Sequence, residues 1–250
     1  MTHPEHNFTK FYEPKGEDVY VEVGAFSGAT ALLLPKTVRK ILVEAEPHNA
    51  DNLQKMIDSG ELQNAQVIRT AVASSKGKMS YRVMGTALNC SRLIESPTHQ
   101  LALVQNAERS KFSREEIMAH GEPGDWTPEG EPVEWCGYTI EVETDTLESI
   151  LDGIGRYEAD MFFGIDHIDL LASDCESCEF DMVKYAGKWL DPKKVRNWAI
   201  ADYHIATRAQ EIPEALEKAG YRIETDLGGN GYHGEPATGR GQLVVYGLSP

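Results

Sequence analysis

The sequence predicts an α/β protein of the Rossmann-like kind, a mostly parallel sheet with helices on both faces. Residues 19–28, Val-Tyr-Val-Glu-Val-Gly-Ala-Phe-Ser-Gly, read as a buried strand, a glycine turn and a helix start. A second strand closing in acid, Lys40 to Glu46, follows at the distance a βαβ unit requires. Strand-like and helix-like runs then alternate to the end of the 250 residues, broken by one long excursion.

That length suits one large domain, 1–250, with a full hydrophobic core, and 41% hydrophobic with 26% charged residues is ordinary globular composition. A net charge of −16 without a Lys/Arg cluster argues against a nucleic-acid partner. The chain has no apolar run long enough to span a bilayer and starts with neither a basic flank nor an apolar signal core, so a soluble, cytoplasmic protein without a membrane partner is expected. Homo-oligomerisation stays open. Four cysteines do not make a disulfide framework, and although Cys175 and Cys178 form Cys-x-x-Cys, zinc would need two more ligands. Buried free thiols at a helix start are the expectation there.

The first strand, Val19 to Val23, leads into a helical region from Ala29 to Arg39, which Pro35 kinks or ends early. Lys40 to Glu46 is the second strand, closed by Pro47, and Asn49 to Ser59 a helix stopped by Gly60. Ala65 to Ala73 reads as a third strand, whose small apolar end, Ala71 and Val72, suits the flank of an adenine ring. Lys78 to Met84 and Tyr138 to Glu143 then look like partner strands around an insertion, 85–137. It holds a helical stretch near residues 99–106, a polar segment with Arg114, Glu115 and Glu116, and a turn-rich run around Trp126. Its length suggests a lid or substrate-recognition segment, with a plain interaction surface as the alternative. A short helix from Thr146 to Leu151, a buried strand from Ile168 to Ser173, a helix to Ala186 and a strand from Asn197 to Ala201 follow. A helix from Gln210 to Ala219, a strand from Tyr221 to Thr225, a glycine-rich loop and a closing strand from Gln242 to Tyr246 complete the series.

The glycine turn is the candidate nucleotide site. Gly24 and Gly28 let a ligand approach the backbone beside unpaired amides of a helix start, so Gly24, Ala25, Phe26, Ser27 and Gly28 are expected to line it. Glu22 on that rim repels a pyrophosphate and favours a ligand with an ammonium group. The spacing is also wrong for Gly-x-Gly-x-x-Gly, because Phe26 stands at the second glycine's place. Glu46, 22 residues after Gly24 and next to Pro47, is placed to take ribose hydroxyls. An ordinary strand-to-helix turn and a solvated strand end are the bland alternatives.

Val-Glu-Val-Gly-Ala-Phe-Ser-Gly, Val-Glu-Ala-Glu-Pro-His-Asn, Thr-Leu-Glu-Ser-Ile-Leu, Ile-Asp-Leu-Leu-Ala-Ser-Asp-Cys-Glu-Ser-Cys-Glu and Asp-Tyr-His together resemble the FkbM family of S-adenosylmethionine-dependent methyltransferases. The match runs from Phe11 to Tyr246 outside the insertion. Glu22 stands where that family usually has Asp, and Glu46, Pro47, Asn52 and Leu53 match its Glu-Pro element and the Asn and Leu after it. Its Asp-Val-Glu-Gly-Ala-Glu appears as Asp174 to Glu179 with the glycine lost, and its preceding Lys is replaced by Ala172. The resemblance implies a class I methyltransferase fold, a seven-stranded sheet with a reversed final strand, and S-adenosylmethionine as cofactor. It also implies a small-molecule or glycan acceptor, with O-methylation of a sugar, glycan or secondary metabolite.

Methyl transfer needs the nucleophile held about 3 Å from the methyl carbon and its proton removed. Asp174, Asp202 and His204, at the ends of adjacent strands, are the catalytic candidates, and Asp174 also borders the cofactor. Asp174, Glu176 and Asp202 form a candidate oxygen-ligand set for Mg²⁺. Glu176 and Glu179 can instead complement a helix N-terminus, the preferred reading for Glu179. His204 can equally be a packed surface residue. Two other classes remain: a cofactor-binding module without catalysis and an NAD-dependent oxidoreductase.

Overall fold

The computed structural model describes residues 7–83, 92–93, 138–154, 164–176, 178–201, 210–226 and 244–250. Its centre is a seven-stranded sheet built from β1 (Val19–Val23), β2 (Arg39–Glu44), β3 (Ala65–Arg69), β8 (Leu170–Ser173), β9 (Asn197–Ala201), β10 (Arg222–Asp226) and β11 (Val244–Leu248). The spatial order is β10-β11-β9-β8-β1-β2-β3. β1 pairs in parallel with β2 and β8, β8 with β9, and β2 with β3, whereas β11 runs antiparallel between β9 and β10. This is the expected Rossmann-like fold, a seven-stranded, mostly parallel sheet with one reversed strand.

The central strands are apolar on both faces because both are covered, as buried parallel strands must be. Along β1, Val21 and Val23 join one core with Leu147 and Leu151 of α3 (Leu147–Gly153), Phe180 and Met182 of α4 (Glu179–Lys184), and Ile212 and Leu216 of α5 (Glu211–Lys218). Tyr20 faces the other core, with Ala31 of α1 (Ala29–Leu33) and Leu53 of α2 (Pro47–Asp58). Successive side chains on a strand point to opposite faces, so Glu22 lies on the Tyr20 side at the carboxyl end of β1.

Several expected boundaries moved, and Pro35 ends the first helix early, as expected. The first helix stops at Leu33, because Leu34 precedes Pro35 and adopts the extended conformation such residues favour (φ −74°, ψ 150°). The second strand ends at Glu44, two residues early, and Glu46 starts α2. The expected third strand is two: after β3, β4 (Ala71–Val72) leaves the main sheet for a four-stranded one of order β4-β7-β5-β6. There β5 (Gly77–Val83) and β7 (Tyr138–Asp145) are partners, as expected, and run antiparallel. β6 (Arg92–Leu93), inside the expected insertion, bonds to β5. The rest of that insertion, including Arg114, Glu115, Glu116 and Trp126, lies outside the described residues. No helix of the described residues is long and apolar enough to cross a membrane.

At the amino end of β2, Lys40 is 2% exposed and donates to the carbonyls of Pro35 (2.9 Å), Val38 (3.0 Å) and Gln63 (3.2 Å). One ammonium thus ties the α1–β2 connection to the α2–β3 connection. Replacing Lys40 by Met should cost about 2 to 4 kcal/mol in denaturant-monitored stability, since methionine fills the space but removes the ammonium donor shared by three carbonyls, of which Pro35's keeps Val38 N–H.

Candidate functional site

The turn after β1 is held by backbone on both sides. Gly24 N–H donates to the Val43 carbonyl (2.9 Å), and Asp174 N–H, just past β8, donates to the Val23 carbonyl (3.1 Å). Gly24, Phe26 and Gly28 all have positive φ (79°, 46° and 69°), so the turn requires left-handed backbone three times in five residues. The space expected to admit a ligand is filled by protein. A Cβ on Gly24 would run into the Asp174 carbonyl, and one on Gly28 would lie 2.8 Å from Leu53 Cδ2. These glycines are required by handedness and by close packing of β1 against the β8 loop and α2.

The amides are likewise largely committed. Gly24 and Ala25 donate to Val43, Gly28 donates to Ala25, and Phe26 donates to Glu44 Oε2 (2.8 Å). Ser27 N–H has no partner among the described residues. α1, only five residues long, offers little of the expected helix-start field.

Three carboxylates surround this turn, all nearly sealed from solvent: Glu22 and Glu44 are 4% exposed and Glu46 0%. Glu44, which the sequence reading passed over, sits at the end of β2 and accepts from Phe26 N and from Glu46 N (2.8 Å each). Burial pushes its carboxyl up to about 7, against the pull of those amides. Glu46 is the N-cap of α2, its Oε2 accepting from Asn49 N at 2.6 Å, while its Oε1 is buried without a donor among the described residues. It is therefore not the strand-end acid expected. An alternating strand puts residues 44 and 46 on one face, so sequence alone could not say which ended the strand.

Glu22 is the least compensated of the three. Burial raises its pKa to about 8; the Tyr20 and Thr30 side chains lower it, and the Asp174 and Glu44 carboxylates raise it further. Its Oε2 has no donor among the described residues. Its register neighbour on β8 is Ala172, so a methyl stands beside it where a cation would neutralise it. Tyr20 and Thr30, also missed, carry a usable signal: one lies two residues before Glu22 on the same strand face, the other in the first turn of α1.

The structure brings Glu22, Gly24, Ala25, Phe26, Ser27, Gly28, Glu46, Pro47 and Asp174 to the carboxyl edge of β1, β2 and β8. Ala71 and Val72 are buried in the second sheet, and Val72 also joins the core under β1. Asp202 and His204 directly follow β9, the expected neighbour of β8, but lie outside the described residues. Asp174 and Glu176 share the loop after β8, where Glu176 has positive φ (56°). Among the described residues no three His, Cys, Asp or Glu side chains are grouped to hold a metal ion. Glu179, buried at 1%, accepts from Cys175 N–H (2.8 Å) rather than only complementing the six-residue α4. Cys175 and Cys178, expected as free thiols, form a disulfide, because the loop brings their Cα atoms within 5.5 Å.

A pH signature follows for the ligand-free protein. Glu22 and Glu44 bind protons more tightly folded than at the ordinary carboxylate value of 4.5. Their contribution to stability is full below that value and is lost as pH rises through about 7 to 8. The thermal midpoint should therefore fall by at least about 3 °C between roughly pH 5 and pH 8.5, and Glu22→Gln should flatten much of that slope in a scan of melting temperature against pH.

No protein-family model matches the chain, and no curated protein matches it in sequence. Solved structures with partial likeness include precorrin 8w decarboxylase of Methanobacterium thermoautotrophicum (12% identity, TM-score 0.44, 94% of this chain and 83% of that one). Fibrillarin of Aeropyrum pernix, with natively bound S-adenosyl-L-methionine, is another (11% identity, TM-score 0.44, 95% and 70%). An O-methyltransferase of Bacillus cereus in complex with SAH is a third (11% identity, TM-score 0.39, 92% and 74%).

Proposed function

We propose that the protein is an S-adenosylmethionine-dependent methyltransferase of FkbM type, transferring a methyl group to a hydroxyl of a sugar, glycan or secondary metabolite. The observation that carries the reading is the pair of buried acceptor oxygens without donors among the described residues, Glu22 Oε2 and Glu46 Oε1, flanking one glycine turn. Buried acceptors without partners are costly, and a ligand bearing an ammonium group and ribose hydroxyls supplies the missing donors. That donor set fits S-adenosylmethionine and does not fit a pyrophosphate, which brings only acceptors and negative charge. Glycine spacing speaks against NAD for the same turn.

In this reading Glu22 takes the ammonium group, and its raised pKa means that it gives up a proton as the cation binds. Glu46 Oε1 accepts from a ribose hydroxyl while Asn49 N–H fixes its other oxygen. Glu44 touches no ligand; by holding Phe26 N–H it keeps the turn in its left-handed shape. Ala71 and Val72 flank the adenine, and Pro47 closes that side. When bound, the cofactor supplies an electrophilic methyl group. Asp174, with Asp202 and His204 beyond β9, orients the acceptor hydroxyl and takes its proton. The insertion contributes acceptor recognition.

Calorimetric titration with S-adenosylhomocysteine tests the cofactor site. Glu22→Gln and Glu46→Gln should each weaken binding by about tenfold or more, with heat of proton release at neutral pH lost in Glu22→Gln. Unchanged affinity in both variants would overturn the assignment. Release of S-adenosylhomocysteine across a panel of hydroxyl acceptors, abolished in Asp174→Asn, separates an enzyme from a binding module without turnover.

A further inference from the structure

The function proposed above leaves the Cys175–Cys178 disulfide without a task. It closes the loop that carries Asp174 and Glu176, and both cysteines are only partly buried. The loop is fastened directly to the candidate cofactor turn: Asp174 N–H bonds to the Val23 carbonyl, and the Asp174 carbonyl occupies the space beside the Gly24 Cα. Farther along, Cys175 N–H donates to Glu179 Oε1, and Glu176 holds a left-handed backbone inside the ring. A short ring stabilises such backbone by removing the alternatives open to a free chain.

We propose that Cys175 and Cys178 form a redox-active dithiol/disulfide pair, a site for thiol–disulfide exchange whose state sets the affinity and turnover of the adjoining cofactor site. The co-reactant is a dithiol. Its thiolate attacks Cys178 Sγ, the sulfur–sulfur bond breaks, and Cys175 leaves as a thiolate. Ser173 Oγ, 3.3 Å from Cys175 Sγ, is placed to donate to that leaving sulfur. The reductant's second thiolate then displaces Cys178, so the protein gains two electrons and two protons and the reductant becomes a disulfide. Opening the ring frees Glu176 from its left-handed conformation and loosens Asp174 from Gly24. The oxidised protein is the pre-organised one.

The inference rests on the proposed cofactor site, and one experiment keeps the two apart. Protein oxidised with glutathione disulfide and protein reduced with dithiothreitol are desalted, their states fixed by peptide mass, and both are titrated with S-adenosylhomocysteine. Amide hydrogen exchange over residues 170–184 is measured in parallel. Reduction should weaken binding by about three- to tenfold and speed exchange, and Cys175→Ser/Cys178→Ser should behave as the reduced form under either treatment. Equal affinity and equal exchange in the two states, or free thiols after oxidation, would overturn it. If neither state binds S-adenosylhomocysteine the proposed function fails, and the exchange difference still decides whether the pair switches the loop.

Discussion

The rest of the site depends on one carboxylate, Glu44. It accepts from Phe26 N–H on one oxygen and Glu46 N–H on the other, so a single side chain at the end of β2 fixes both the turn after β1 and the start of α2. The turn could not hold itself. Phe26 is a bulky residue with φ 46°, a conformation its side chain disfavours, and the bond to a buried carboxylate offsets that strain. The second bond, from Glu46 N–H, positions Glu46 for its cap on Asn49 N–H, and Glu46 Oε1 is left without a donor among the described residues. The groups proposed to face the cofactor are thus positioned by a neighbour to which the proposal gives no contact with it.

This arrangement carries a cost in stability. Three glutamates crowd one edge of the sheet, with Asp174 acting on Glu22 from the neighbouring loop, and burial raises Glu22 and Glu44 to where they hold protons near neutrality. Glu44 and Glu46 offset part of that cost by accepting backbone N–H groups, whereas Glu22 Oε2 accepts from no donor among the described residues. At the opposite end of the sheet Asp169 is equally buried, yet it is satisfied by Val19 N–H (2.8 Å) and the Arg196 guanidinium (2.5 Å). Of these buried sheet-edge carboxylates, the two with an oxygen lacking a donor among the described residues, Glu22 and Glu46, lie at the carboxyl edge, where open α/β sheets bind their ligands.

Much of this was legible in the sequence, and what was not has specific causes. The strands of the large sheet were legible because buried parallel strands are short apolar runs, and β9 was read to the residue. The end of β2 was not, since Glu44 and Glu46 share a face and only the α2 cap distinguishes them. The break at Thr70 was invisible for a related reason: Ala65 to Ala73 is continuously strand-like, and only tertiary pairing with β7 diverts Ala71 and Val72 to the second sheet. Gly24 and Gly28 were correctly marked as necessary, but for the wrong neighbour. A sequence shows that a Cβ is absent, not whether a ligand or the Asp174 carbonyl takes its place. The thiol expectation failed because pairing across three residues depends on loop shape, which the left-handed Glu176 decides.

The contact between Gly24 and Asp174 has a consequence for how the two halves of the site work together. The residues proposed for the methyl donor hang from β1 and β2, and those proposed for the acceptor from β8 and β9. If the halves met only through a ligand, each could vary alone. Here they meet through backbone, with Asp174 N–H on Val23 and the Asp174 carbonyl against Gly24, so a displacement of the β8 loop is transmitted to the turn without passing through a flexible side chain. Close-packed backbone has few intermediate positions. Any displacement of the loop after β8, including one set by the state of its two cysteines, therefore also reaches the glycine turn, where the cofactor site is proposed.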